Sequence, residues 1–122
     1  MTALAPARKN LDRAGLSHMP SLDEFVSRLQ EYREASNIIR HHTEFLSVFL
    51  GTDPHFFDRL FRMSELQEMA AWVNGVAGTS FQLGRLNSPR QRSYPKLGSG
   101  SALERIVLDR YQQDLDLYGE YF

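Results

Sequence analysis

The sequence contains no cysteine. That absence excludes a disulfide framework, thiolate zinc sites, iron–sulfur clusters and cysteine nucleophiles. No stretch approaches the roughly 20 apolar residues that a membrane-spanning helix needs. The N-terminus, Met1-Thr2-Ala3-Leu4-Ala5-Pro6-Ala7-Arg8-Lys9, lacks the apolar core of a secretory leader, and its charges follow the small residues instead of preceding them. The expectation is a soluble cytoplasmic protein without membrane association. Internal repeats are missing. Catalytic signatures are missing too, because no Gly-x-Ser-x-Gly elbow occurs. Gly75-Val76-Ala77-Gly78-Thr79-Ser80 lacks the lysine and spacing of a Walker loop, and Gly98-Ser99-Gly100-Ser101 fails the dinucleotide fingerprint. No residue is assigned a catalytic role.

What remains is a chain of 122 residues, 42% apolar and 24% charged, with a formal net charge of −1. That length fits a single domain able to bury a core without staples. An aromatic content of 11% is too high for a disordered chain. Pro6, Gly15 and Pro20 interrupt any period in residues 1–20, so this segment is expected to be poorly ordered. Residues 21–122 are expected to form one mainly α-helical domain of four or five helices.

Three capping boxes support that fold. Ser21-Leu22-Asp23-Glu24, Ser64-Glu65-Leu66-Gln67 and Ser101-Ala102-Leu103-Glu104 each place a serine at the cap and an acid or amide three residues later. Each precedes an apolar set at helical spacing: Leu22, Phe25, Val26, Leu29 and Tyr32; Leu66, Met69, Ala70, Val73 and Ala77; Leu103, Ile106, Val107, Tyr111, Leu115 and Tyr118. Gly78 is placed to stop the second helix. Ile38, Ile39, Phe45, Leu46, Phe49 and Leu50 suit a further helix ended by Gly51. Residues 57–63 fit a short strand or one more helical turn, and periodicity does not separate the two at this length.

The near-neutral total hides an asymmetry. No acidic residue occurs between Glu68 and Glu104, and the window holds Arg85, Arg90, Arg92 and Lys96. It carries +4, so the remainder carries −5. Arginine offers a planar fork matched to phosphate or sulfate. The basic segment leads into a helix start, where amides and the dipole favour an anion. An anionic ligand at residues 85–101 is therefore expected, set against the simpler role of a solvated loop. Four basic residues make a small phosphate footprint, so nucleic acid is not an expected partner.

Two other groupings stand out. His41, His42 and Glu44 lie together with His55 further on, but no recognised ligand spacing links them, and no metal site is expected. Phe45, Phe49, Phe56, Phe57, Phe61 and Trp72 form an aromatic-rich middle whose expected role is core packing. The alternative is a docking surface across Phe45–Phe61 for a complementary chain or a second copy.

The order of these features resembles a known family. A helix is followed by a His-containing stretch with Phe45-Leu46, then Asp58-Arg59-Leu60-Phe61-Arg62-Met63-Ser64-Glu65-Leu66, a helix ending near Gly78, Leu86-Asn87-Ser88 and a basic loop. The chain closes on a tail in which Tyr111, Asp114, Leu117, Tyr118, Gly119 and Tyr121 fit a Tyr-x-x-Asp-x-x-Leu-Tyr-Gly-x-Tyr pattern. This is similar to the C-terminal part of sulfotransferases that use 3′-phosphoadenylyl sulfate (PAPS), in the carbohydrate-type branch. In that family an Arg-x-Glu-x-Leu strand leads into a helix and an Asn-x-Ser loop follows. Here Ser64 stands at the acidic position with Glu65 one place on, and Asn87 and Ser88 are adjacent.

The resemblance implies that Arg85, Asn87, Ser88, Arg90, Arg92 and Lys96 contribute to a PAPS-phosphate or acidic-acceptor surface. It also implies that donor binding and the catalytic base belong to an N-terminal half. Residues 1–20 supply neither. The implied activity is sulfonate transfer to an acceptor hydroxyl once a donor-binding half is supplied, with the isolated chain inactive. The competing class is a non-catalytic helical interaction or dimerisation module.

Overall fold

The structure is a computed structural model that describes residues 7–84 and 97–122. The described residues are mainly helical: α1 (Arg8–Arg13), α2 (Leu22–Ser27), α3 (Leu29–Ala35), α4 (Asn37–His42), α5 (Leu46–Leu50), α6 (Leu66–Ala77), α7 (Ala102–Arg110) and α8 (Gln112–Tyr118). Single 3₁₀ turns occupy Pro54–Phe56, Met63–Glu65 and Gly119–Tyr121. There is no strand among the described residues. Residues 57–62 run as irregular chain, since a strand is stable only with another to pair against.

Helix starts follow the serine pattern at two of three predicted places. The Ser21 hydroxyl accepts from the Glu24 amide, and the Ser101 hydroxyl from the Glu104 amide, both at 3.1 Å. Ser64 does not cap. The cap lies two residues earlier, where the Glu65 carboxylate accepts from the Arg62 amide at 2.7 Å, and α6 begins only at Leu66. A cap absent from the sequence prediction starts α4, with the Ser36 hydroxyl taking the Ile39 amide at 3.4 Å. Gly78 ends α6 in the left-handed region at φ 65°, as its sequence position suggested.

The helices are shorter and more numerous than the four or five expected. The element after Ser21 bends at Arg28 (φ −111°, ψ 20°), and the element after Ser101 bends at Tyr111 (φ −102°, ψ 19°). The helix expected over 38–50 is two helices meeting at a corner, Thr43-Glu44-Phe45. There the Thr43 hydroxyl donates back to the Ile39 carbonyl at 2.7 Å, and Phe45 turns extended.

The largest correction concerns the N-terminus. Residues 7–20, expected to be poorly ordered, carry α1 and supply much of the core. Leu11 and Tyr32 are fully buried, and Ala7, Leu16 and Ile39 complete the cluster, with Phe25 and Ala35 packed on it. The apolar positions Ala7 and Leu11 are one helical turn apart and face the same side. Gly15 reverses the chain at φ 69°, which lets Leu16 fold back beside Leu11. The Tyr32 hydroxyl donates to the Ser17 carbonyl at 3.0 Å and to Glu24 at 3.3 Å, tying this segment to α3. Burial pushes the Tyr32 phenol above its ordinary pKa, with the Glu24 charge adding to it.

Leu11→Ala should lower unfolding stability by about 2–5 kcal/mol, the cost of a cavity in a closed cluster. Urea unfolding followed by far-UV circular dichroism measures this. A loss no larger than that of an exposed apolar substitution would remove α1 from the core.

Candidate functional site: the α5 platform and its outer face

Helix α5 has five residues and buries none of them. It has no side-chain cap of its own. Both of its ends are held by α8. The Asp114 carboxylate, 4% exposed, accepts from the Leu46 amide at 2.6 Å and the Ser47 amide at 3.0 Å. At the other end the Tyr118 hydroxyl donates to the Gly51 carbonyl at 2.8 Å and more weakly to Leu50 at 3.4 Å. Tyr111 donates to the Thr43 carbonyl at 2.7 Å, just before α5 begins. Spacings of three and four residues put Tyr111, Asp114 and Tyr118 along one side of the C-terminal helix. A carboxylate suits the positive end of α5, and hydroxyls suit its free carbonyls.

The corner ahead of α5 has its own ion pair. Arg33 of α3, 8% exposed, meets Glu44 at 3.1 Å and also donates to the carbonyls of Arg40 and Thr43. Glu44 accepts from the Phe45 amide at 3.0 Å. That amide, followed by the Arg33 guanidinium, holds the Glu44 carboxyl below its ordinary pKa. The Arg110 guanidinium lies over the rings of Phe45 (5.5 Å) and Tyr111 (5.9 Å), which face each other edge-on at 5.5 Å. Its Nε is buried with no hydrogen-bond partner among the described residues, and the two ring faces lie against the guanidinium.

Helix α5 exposes Val48 (63%) and Phe49 (55%), and Phe56 (79%) and Met63 (81%) are exposed further along the chain. The core role expected for the six aromatic residues therefore fails. None of them is buried, Phe49 and Phe56 are exposed, and Phe45, Phe57, Phe61 and Trp72 are half-buried. The physical reason is that the core forms earlier in the chain, around Leu11 and Tyr32. The aromatic residues pair with one another at the surface: Phe56 with Phe57 at 5.4 Å, Phe61 with Trp72 at 5.9 Å, and Arg59 over Phe61 at 5.0 Å.

The candidate ligand residues Arg85, Asn87, Ser88, Arg90, Arg92 and Lys96 lie outside the described residues. The flank that joins them to α7 is described, and it revises one expectation. The Glu104 carboxylate accepts from the Gly100 amide, and the Ser101 hydroxyl takes the Glu104 amide. The helix start expected to favour an anion already holds a carboxylate of its own. His41 faces His42 and Phe49, each at 5.4 Å, while Glu44 turns to Arg33. Among the described residues no group of three or more His, Asp or Glu is placed to hold a metal.

No protein-family model matches the chain, and no curated protein or solved structure matches it. Among the described residues no helix is long and apolar enough to cross a membrane. The tail residues that carried the family resemblance have a structural task in this chain. Tyr111, Asp114 and Tyr118 hold α5, and Gly119 opens the last turn, where the Glu120 carbonyl takes the Arg62 guanidinium at 2.7 Å. Sequence reasoning missed the Arg33–Glu44 pair and the Asp114 cap. The family-like tail grouped Tyr111, Asp114 and Tyr118 but named no partner for them.

Glu44 binds its proton more weakly in the folded chain than in the unfolded one, so the stability it contributes is present above the ordinary carboxylate range and is lost as pH falls through its lowered value. Glu44→Gln should lower the denaturant midpoint at neutral pH, and the gap to the parent should narrow as pH falls below the ordinary carboxylate range. A gap that does not change with pH would show that the Glu44 charge contributes nothing.

Proposed function

We propose that this chain is a sulfotransferase-like C-terminal module that docks on a donor-binding half through the exposed face around α5. The supporting observation is the exposure of Val48 and Phe49 on α5, with Phe56 and Met63 exposed further along the chain. Exposed apolar patches mark interaction sites. They lie within the segment whose order of features resembles the sulfotransferases. Sulfonyl transfer needs the charge of the leaving phosphate to be stabilised and the acceptor hydroxyl to be deprotonated. In this reading the basic residues Arg85, Arg90, Arg92 and Lys96, with Asn87 and Ser88, face the PAPS phosphates or an acidic acceptor. The base and most of the donor site belong to the other half, and the complex works in the cytoplasm.

The same exposed face favours one other reading, a non-catalytic module that pairs with a second copy. The two separate by experiment. Adenosine 3′,5′-bisphosphate titrated calorimetrically into the chain should bind weakly, and the combined R85A/R90A/R92A/K96A variant should lose at least tenfold in affinity, about 1.4 kcal/mol. No heat, with no protection of residues 85–96, would sink the donor reading for this chain. In sedimentation velocity the chain alone should run as a monomer. A dimer that V48D/F49D dissolves would establish the pairing module in its place.

A further inference from the structure

We propose that α8 is a latch that keeps α5 helical, so that the Val48–Phe49 face is presented only while α8 is docked. The use of that face rests on the docking reading above, but the latch itself does not. A five-residue helix is far below the length at which a helix persists by itself, because one turn of hydrogen bonds does not offset the entropy of nucleation. Helix α5 also lacks the two devices that rescue short helices elsewhere in this chain. It has no serine cap of the kind that starts α2, α4 and α7, and it buries no side chain in the core. What it has is a carboxylate on its first amides and a phenol on its last carbonyls, both from α8.

The two clamping residues differ from α5 in burial. Asp114 is 4% exposed and Tyr118 1%, so the clamp is closed to solvent while the α5 side chains Val48 and Phe49 stay open to it. The main apolar cluster belongs to α1, α3 and α4 with the Leu16 turn, and it draws on neither α5 nor α8. The Arg33 pair fixes the end of α4 from α3, again without α8. The α1–α4 cluster thus closes on its own contacts and α7 packs on α2 besides, whereas α5 is joined to α8 by a polar clamp. A helix held in that way opens at lower free energy than the whole. Coupling of this kind is reciprocal, so an occupant that needs helical α5 also tightens α8.

Hydrogen–deuterium exchange on the full chain, with no partner present, tests the latch. In Asp114→Asn, where an amide replaces one accepting oxygen, exchange at Leu46–Gly51 should rise by at least about tenfold, while α3 stays within about twofold of the parent. Tyr118→Phe keeps the packing and removes only the hydroxyl, and it should raise exchange at the α5 C-terminal end in the same selective way. Should D114N not fold, Y118F decides alone. Unchanged exchange at 46–51, or an equal rise through α1–α4, would overturn the latch. Because no partner enters the measurement, this outcome is independent of whether the docking reading or the nucleotide titration succeeds.

Discussion

The shape of this protein depends on satisfying the ends of short helices. Every helix leaves up to four amides and four carbonyls without an internal partner, and a helix of five or six residues is almost all ends. Much of the chain's polar side-chain chemistry goes to that task. Ser21, Ser36 and Ser101 take amides locally. Asp114 takes amides across a long sequence separation, and Arg33, Tyr111 and Tyr118 donate to the carbonyls at helix ends from other elements. The long-range ones decide the architecture, because each docks one element onto another while it completes a helix. An isolated serine cap costs little to lose. A cap that is also the tertiary joint costs the joint as well.

This division explains which parts were legible in the sequence. The Ser21 and Ser101 caps, the Gly78 stop and the Gly51 stop are local signals, and local signals can be read from a few neighbouring letters. The Thr43–Phe45 corner is not local. It exists because Arg33, ten residues earlier, claims the Thr43 carbonyl and because Tyr111 claims it too. The strand suggested at 57–63 fails for the converse reason: alternation describes a strand only when a second strand is available. Glu65 shows a subtler limit. Two capping patterns overlap there, and the acid serves Arg62 two residues upstream of the serine that the motif names.

The candidate site was legible as composition and opaque as placement. A count of aromatic residues does not distinguish a core from an exposed face. That decision was made by α1, whose Leu11 closes the cluster around Tyr32 and leaves the later phenylalanines without a place in it. The acid-free window was equally visible as arithmetic. Yet Glu104, the acid that bounds it, places its carboxylate on the helix start toward which the window leads. Charge at that flank is therefore more balanced than the window implies. A second balance lies inside the fold, where Arg33 pairs with Glu44 and Arg110 lies over the rings of Phe45 and Tyr111.

Trp72 is the only tryptophan in the chain, and it sits half-buried against Phe61, outside the Leu11–Tyr32 cluster. Its intrinsic fluorescence is therefore a reporter of the α6 surface. Among the described tyrosines, Tyr32 is buried in the α1–α4 cluster and Tyr118 at the α5–α8 clamp. An optical melt of this protein thus reads different regions at different wavelengths, and a disagreement between tryptophan and tyrosine signals would be a property of the fold's layout, not an artefact of the probe.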